Sequence, residues 1–270
     1  MTNVIYLLKL EWLKVKTYAP FLILMGMYAL LLPSFMSVGK NFPIPEQLGG
    51  VNAYYMFPAV WGSLAYVGNW LAYFIMGFVG VLIVTNEFSN RTLRQNIISG
   101  ISRADFYLSK VYFMLLISLA ATLYYAFVAV VFGLINTETI FASRVVENID
   151  FIPRYFLMCM AYMSMGFVLG VLFRKTGIAL FLYFAYNMFI EKIIRYTLIR
   201  KVFGMKAMLF APANAVSDLA PFPIPKMAKS FVDGAKFQLF LTPLEATFTA
   251  LVFTVLFLYF AYYLLKTKDL

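Results

Sequence analysis

The side chains able to do chemistry in this chain are few, and their types exclude more than they permit. Histidine is absent and cysteine occurs once, at Cys159. Without histidine there is no Ser-His-Asp triad and no HExxH zinc site, and a single cysteine forms neither an intrachain disulfide nor a thiolate metal cluster. The apolar stretches hold no pair of carboxylates for acid–base work. No GxxxxGK[ST] run occurs, so the chain has no P-loop to hold phosphates. What remains is recognition chemistry, concentrated in residues 86–110. There Leu93, Ile97, Ile98 and Ile101 recur at helical spacing, with Arg91, Arg94 and Gln95 on a polar side. Ser89 or Asn90 can cap the start of such a helix and Gly100 can end it, while Ser102-x-x-Asp105 reads as a capping box opening the next helix. The spacing predicts a short amphipathic helix held between two longer ones. It either lies in a lipid interface or docks onto a soluble partner.

The elements that must hold this segment follow from composition. The chain has 270 residues, 63% hydrophobic and only 13% charged, with a mean hydropathy of +0.83. Soluble domains are about 45–50% apolar and about 25% charged, so a soluble globular enzyme is excluded, and disorder with it. The fold class is all-α integral membrane. A crossing needs roughly 20 apolar residues, and six stretches qualify as one transmembrane domain over 1–270: 18–36, 64–85, 111–135, 155–173, 176–194 and 246–265. The fifth is odd, because its charge-free part covers only about 22 Å at 1.5 Å per residue. Residues 2–16 read as an interfacial helix or a plain basic flank, with Lys9 and Lys16 on one face and Trp12 at the headgroup level. The apolar run after Lys16 is too long for a cleaved signal peptide.

Short loops set the orientation. With both termini cytoplasmic, Lys9, Lys14, Lys16, Arg91, Arg94, Arg103, Lys110, Arg174, Lys175, Lys266 and Lys268 lie inside, against Lys40, Arg144 and Arg154 outside. The net charge of +10 on so apolar a chain points to anionic lipid headgroups and not to nucleic acid. A multi-pass location in the cell inner or plasma membrane is expected.

Glu87-Phe88-x-x-x-Thr92-Leu93-Arg94, followed by Gly100-x-Ser102-Arg103-x-x-Phe106 and Lys110, resembles the first cytoplasmic loop of ABC-2 type transporter permeases. Those are six-helix membrane subunits of ATP-binding-cassette exporters. The resemblance implies that this loop is a coupling helix seated in a cleft of a nucleotide-binding subunit. Glu87, Arg91, Thr92, Leu93, Arg94, Gly100, Ser102 and Arg103 then become contacts to the ATPase or supports for them, with Ile97 and Ile98 on the apolar face. It implies further that ATP and Mg belong to the partner chain, with no cofactor in this one, and that the permease pairs with a second copy or a paralogue. It also implies short helices re-entering the outer leaflet before the last span. That agrees with Pro212, Pro221, Pro223 and Pro225, which forbid one continuous helix over 192–240.

Glu191, Arg195 and Glu245 stand at the outer ends of the fifth and sixth spans, an edge or gate position. An ion pair of Glu191 with Lys192 or Arg195 would mark the membrane boundary. Asn69 and Asn187 lie within spans and are expected to bond across helices. Gly166-x-x-x-Gly170 permits close helix approach. The competing class is a stand-alone channel or ion-coupled carrier, which usually needs charges or broken helices near midplane. A neighbouring gene for a stand-alone ATPase would decide between the two.

Overall fold

The computed structural model describes residues 4–41, 50, 52–90, 92, 95, 100, 102–223, 238 and 240–267. Among these there is no strand. Helix α1 spans Val4–Val15, α2 Ala19–Gly39, α3 Ala59–Ser89, α4 Arg103–Asn136, α5 Phe151–Phe173, α6 Thr176–Phe203, α7 Pro212–Ser217 and α8 Pro243–Thr267. A short helix, Ala142–Val146, precedes α5. Six of these elements are long and apolar enough to cross a bilayer, the fourth being Ala142–Phe173 taken together. Each of the six overlaps one of the stretches read from the sequence and extends past it at one end or both.

Two differences have physical causes. Helix α6 runs 28 residues, past the charges that appeared to end it. It does so through two π-helical segments, Tyr186–Ile190 and Arg195–Ile199, and its first charge, Glu191, is buried against another element. Helix α3 continues to Ser89, and Asn90 closes it with its N–H on the Asn86 carbonyl. Ser89 is therefore the last residue of α3.

The inner pair is α3 and α5, most of whose apolar windows are buried, whereas α2, α6 and α8 are largely exposed. Glycines set how closely the inner pair approaches. A Cβ on Gly80 would stand 2.2 Å from the Met163 carbonyl oxygen, and one on Gly166 would stand 2.1 Å from that of Gly77. Gly170 meets Val84 and the Val81 carbonyl in the same seam. The Gly166-x-x-x-Gly170 face thus packs backbone against backbone, gaining dispersion contact where no hydrophobic effect drives association between lipid-exposed helices. Aromatic rings fill the space beside it. Tyr125 stacks on Tyr155 at 4.2 Å, and the Tyr155 hydroxyl meets that of Tyr28 at 2.8 Å. Trp61 and Tyr125 are buried and serve packing here.

Candidate functional site

Four charged side chains meet where α1, α3 and α4 converge. Helix α1 buries Leu7, Glu11 and Val15, one residue per turn on a single stripe. That stripe faces the first turns of α4 and carries Glu11 to Lys110 at 2.5 Å and to the Ser109 hydroxyl at 3.1 Å. Lys110 reaches Glu87 on α3 at 2.6 Å. Lys14 bridges both carboxylates, at 3.1 Å from Glu11 and 2.7 Å from Glu87. Thr92 donates its hydroxyl to the second oxygen of Glu87. Glu11, Glu87 and Lys110 are each 3% exposed or less.

Charges this deep are tolerated only when paired and hydrogen-bonded. Two ammonium groups against two carboxylates sum to zero, and each carboxylate has at least two donors. Burial works to lower the pKa of Lys14, but the adjoining Glu11 and Glu87 outweigh it, and the net direction is upward. Lys14 therefore stays charged at neutral pH. The partners of Glu87 among the described residues are Lys14, Lys110 and Thr92.

The loop that leaves this cluster is described in part. Thr92 and Gln95 are helical, and Gly100 has φ +95°, a left-handed conformation open to glycine and suited to ending a helix. Ser102 caps α4, accepting from the Asp105 amide at 3.0 Å. Its hydroxyl also meets the Asp105 carboxylate at 2.9 Å. Arg103 donates to the carbonyls of Leu265 and Lys266, tying the start of α4 to the end of α8. Arg91, Leu93, Arg94, Ile97 and Ile98 lie outside the described residues. Glu11 and Lys14 were not singled out from the sequence as site residues, and Lys110 stood there only as the last residue of the loop motif. The available signal was the stripe Leu7, Glu11, Val15, which places a carboxylate on the apolar face of α1.

The opposite end of the bundle holds the remaining charged candidates. The Glu191 carboxylate accepts from the Ala213 and Asn214 amides at 2.8 and 2.9 Å, at the start of α7. Arg195 donates to the Met208 carbonyl at 3.0 Å. Glu191 therefore anchors the chain after α6 and does not simply pair with its own helix. Glu245 forms a capping box with Thr242, whose amide and hydroxyl reach it at 3.0 and 2.9 Å, and it pairs with Lys206 at 2.9 Å. The Thr242-x-x-Glu245 signature of that capping box was present in the sequence. Asp218 accepts from the Leu241 amide at 3.0 Å and from Asn214 at 3.1 Å. Burial pushes its pKa up to about 6 against those donors and Arg195. Asn69 bonds across helices to Tyr162 and Ser217, as expected. Asn187 instead donates to Tyr183 on its own helix.

An all-helical chain with six membrane-length apolar helices, whose ion pairs among the described residues all sit at the helix ends, is a multi-pass membrane protein. Its sequence goes further: residues 7–190 match the profile of the ABC-2 family transporter proteins, and the chain belongs to that family. ABC-2 permeases are membrane components of transporters, generally without catalysis of their own, and membership implies association with ABC ATPase subunits. No curated protein sequence matches the chain.

Proposed function

We propose that this chain is the permease subunit of an ABC exporter, forming the pathway across the membrane and driven through residues 86–110 by a separate ATPase. The observation that carries this reading is the buried cluster of Glu11, Lys14, Glu87 and Lys110. It joins both legs of the loop to α1, and Arg103 extends the linkage to α8. A force applied to the loop is therefore delivered to four helices at once. A chain without a P-loop can use ATP only through such mechanical contact.

In this reading the apolar Leu93, Ile97 and Ile98 are the anchors in the ATPase cleft, and Arg91 and Arg94 meet its carboxylates. Glu87, Thr92, Gly100, Ser102 and Arg103 hold the geometry of the loop. A docking helix of this size takes its affinity from a few buried anchors within a polar ring. Both termini and residues 86–110 are cytoplasmic and residues 191–243 external, in the cell inner or plasma membrane. The permease acts as a dimer with a second copy or a paralogue and moves an amphipathic or lipid-linked substrate outward. ATP and Mg bind on the partner, and no nucleic acid is involved. Polar contacts among the described residues agree with the grouping of segments by side, as with Lys14–Glu87 on one and Arg154–Leu219 on the other.

Affinity purification of the tagged chain from its native membrane is expected to bring down a P-loop ATPase, whose hydrolysis rises at least twofold when the two are reconstituted together. Recovery of the chain alone, with transport dissipated by an ionophore and indifferent to ATP, would return it to the class of ion-coupled carriers.

A further inference from the structure

A cavity of about 280 Å³ opens between α3, α5 and α6, roofed by α7 and the chain after it. That is the small end of the ~300–1,000 Å³ typical of ligand pockets, room for a head group and little more. Two π-helical turns face it, Ala72–Met76 in α3 and Tyr186–Ile190 in α6. Such turns cost regular helix hydrogen bonding and appear frequently at functional sites. Each contributes one residue whose polar atom is buried without a hydrogen-bond partner among the described residues: the Tyr73 hydroxyl and Asn187 Oδ1. Both residues line the cavity. An orphaned buried polar group carries an uncompensated desolvation cost, so two in one cavity call for an occupant.

The chemistry of the occupant follows from what is missing. The Asn187 amide donates its N–H to the Tyr183 carbonyl at 2.8 Å, which fixes its orientation and leaves a pure acceptor. The group that fits must donate hydrogen bonds. Glu191, one turn further along α6, and Asp218 opposite add negative charge to the same cavity. Tyr66, Trp70 and Tyr162 supply aromatic walls, which attract cations through their faces. A primary ammonium, with three N–H donors, meets all of these demands, and a quaternary one cannot serve Asn187. Lys192 and Arg195 also line the cavity, and Arg195 offsets part of the negative charge of Glu191 and Asp218, so the cavity is not a plain cation site. Cations and acceptors lining one cavity match a zwitterion that carries a phosphate beside its ammonium. The cavity is flanked by Trp70 and Phe222, 49% and 52% exposed, apolar surface along which an acyl chain can lie.

We propose that this cavity binds the phosphoethanolamine head group of a membrane lipid, its ammonium on Asn187 and Tyr73 and its phosphate near Lys192 and Arg195. The site concerns binding and stands whether or not an ATPase drives the chain. The test is retention of lipid by the detergent-purified protein, measured with equimolar phosphatidylethanolamine, phosphatidylcholine and phosphatidylglycerol. Retention of the ethanolamine lipid at least fivefold over both others is expected. Tyr73→Phe removes only the orphaned hydroxyl, whereas Asn187→Leu removes the orphaned oxygen together with the amide's bond to Tyr183, so Tyr73→Phe is expected to keep the wild-type melting temperature and both variants to lose that preference. Soluble phosphoethanolamine at millimolar concentration is expected to compete weakly, because it lacks the acyl contacts. Equal retention of the three lipids, or an unchanged preference in both variants, would mean that the cavity holds only water. Full competition by the soluble head group would overturn the assignment to a membrane lipid.

Discussion

Lys110→Met is expected to destabilise the protein by about 3–5 kcal/mol, the cost of leaving a buried charge uncompensated. Its ammonium is 1% exposed and holds Glu11 at 2.5 Å and Glu87 at 2.6 Å. Without it, Lys14 alone faces two carboxylates, and one negative charge is left where water does not reach. A lower melting temperature in detergent and a poor yield of monodisperse protein are the readouts. Lys14→Met should cost less, because that side chain is 28% exposed and water can replace part of what it supplies. The double variant Glu11→Leu, Lys110→Met restores neutrality by leaving the Lys14–Glu87 pair, and is expected to recover most of the loss. Non-additivity of this kind marks residues of one network. If Lys110→Met melts with the wild type, the four groups do not form a desolvated cluster.

The second large effect is steric. Gly80→Val and Gly166→Val each place carbon about 2 Å from a backbone carbonyl oxygen of the facing helix. A flexible side chain could step aside, but a carbonyl in a helix cannot. Overpacking in cores costs typically 1–3 kcal/mol and occasionally more, and a backbone clash belongs at the upper end. Both variants are expected to lose the native fold at expression temperature. Gly26→Val provides the control, since nothing lies within 4 Å of its Cβ position. Equal expression of all three would mean that α3 and α5 do not pack along the glycine seam.

The spans were legible because a bilayer demands long apolar runs and the charges fall between them. The capping of α4 by Ser102 was legible for a local reason, since its partner Asp105 is three residues away. The charge cluster was not, because Glu11 finds its partner 99 residues on, and helical spacing within α1 says nothing of α4. Helix α6 runs beyond the stretch read from the sequence, and Glu191 does not end it because two backbone amides receive its charge. Glu245 stood in a capping signature that a search for membrane-edge charges passes over. Asn187 looked like any span asparagine, and only its geometry separates it from Asn69, whose amide is fully engaged.

The central claim is that residues 86–110 pass the work of an ATPase to this bundle. Its most direct test is assembly and ATP-driven transport in vesicles for Leu93→Ala, Arg94→Ala and Glu87→Ala, measured side by side. Leu93→Ala is expected to reduce recovery of the ATPase at least tenfold by removing a buried anchor. Arg94→Ala, if its charge is desolvated against a carboxylate, should cost about 2–5 kcal/mol of binding. Glu87→Ala should retain partial assembly and lose transport, because the link to α1 and α4 is cut while the docking surface remains. Wild-type assembly and transport in all three would mean that the loop only rests on lipid, and would contradict the claim.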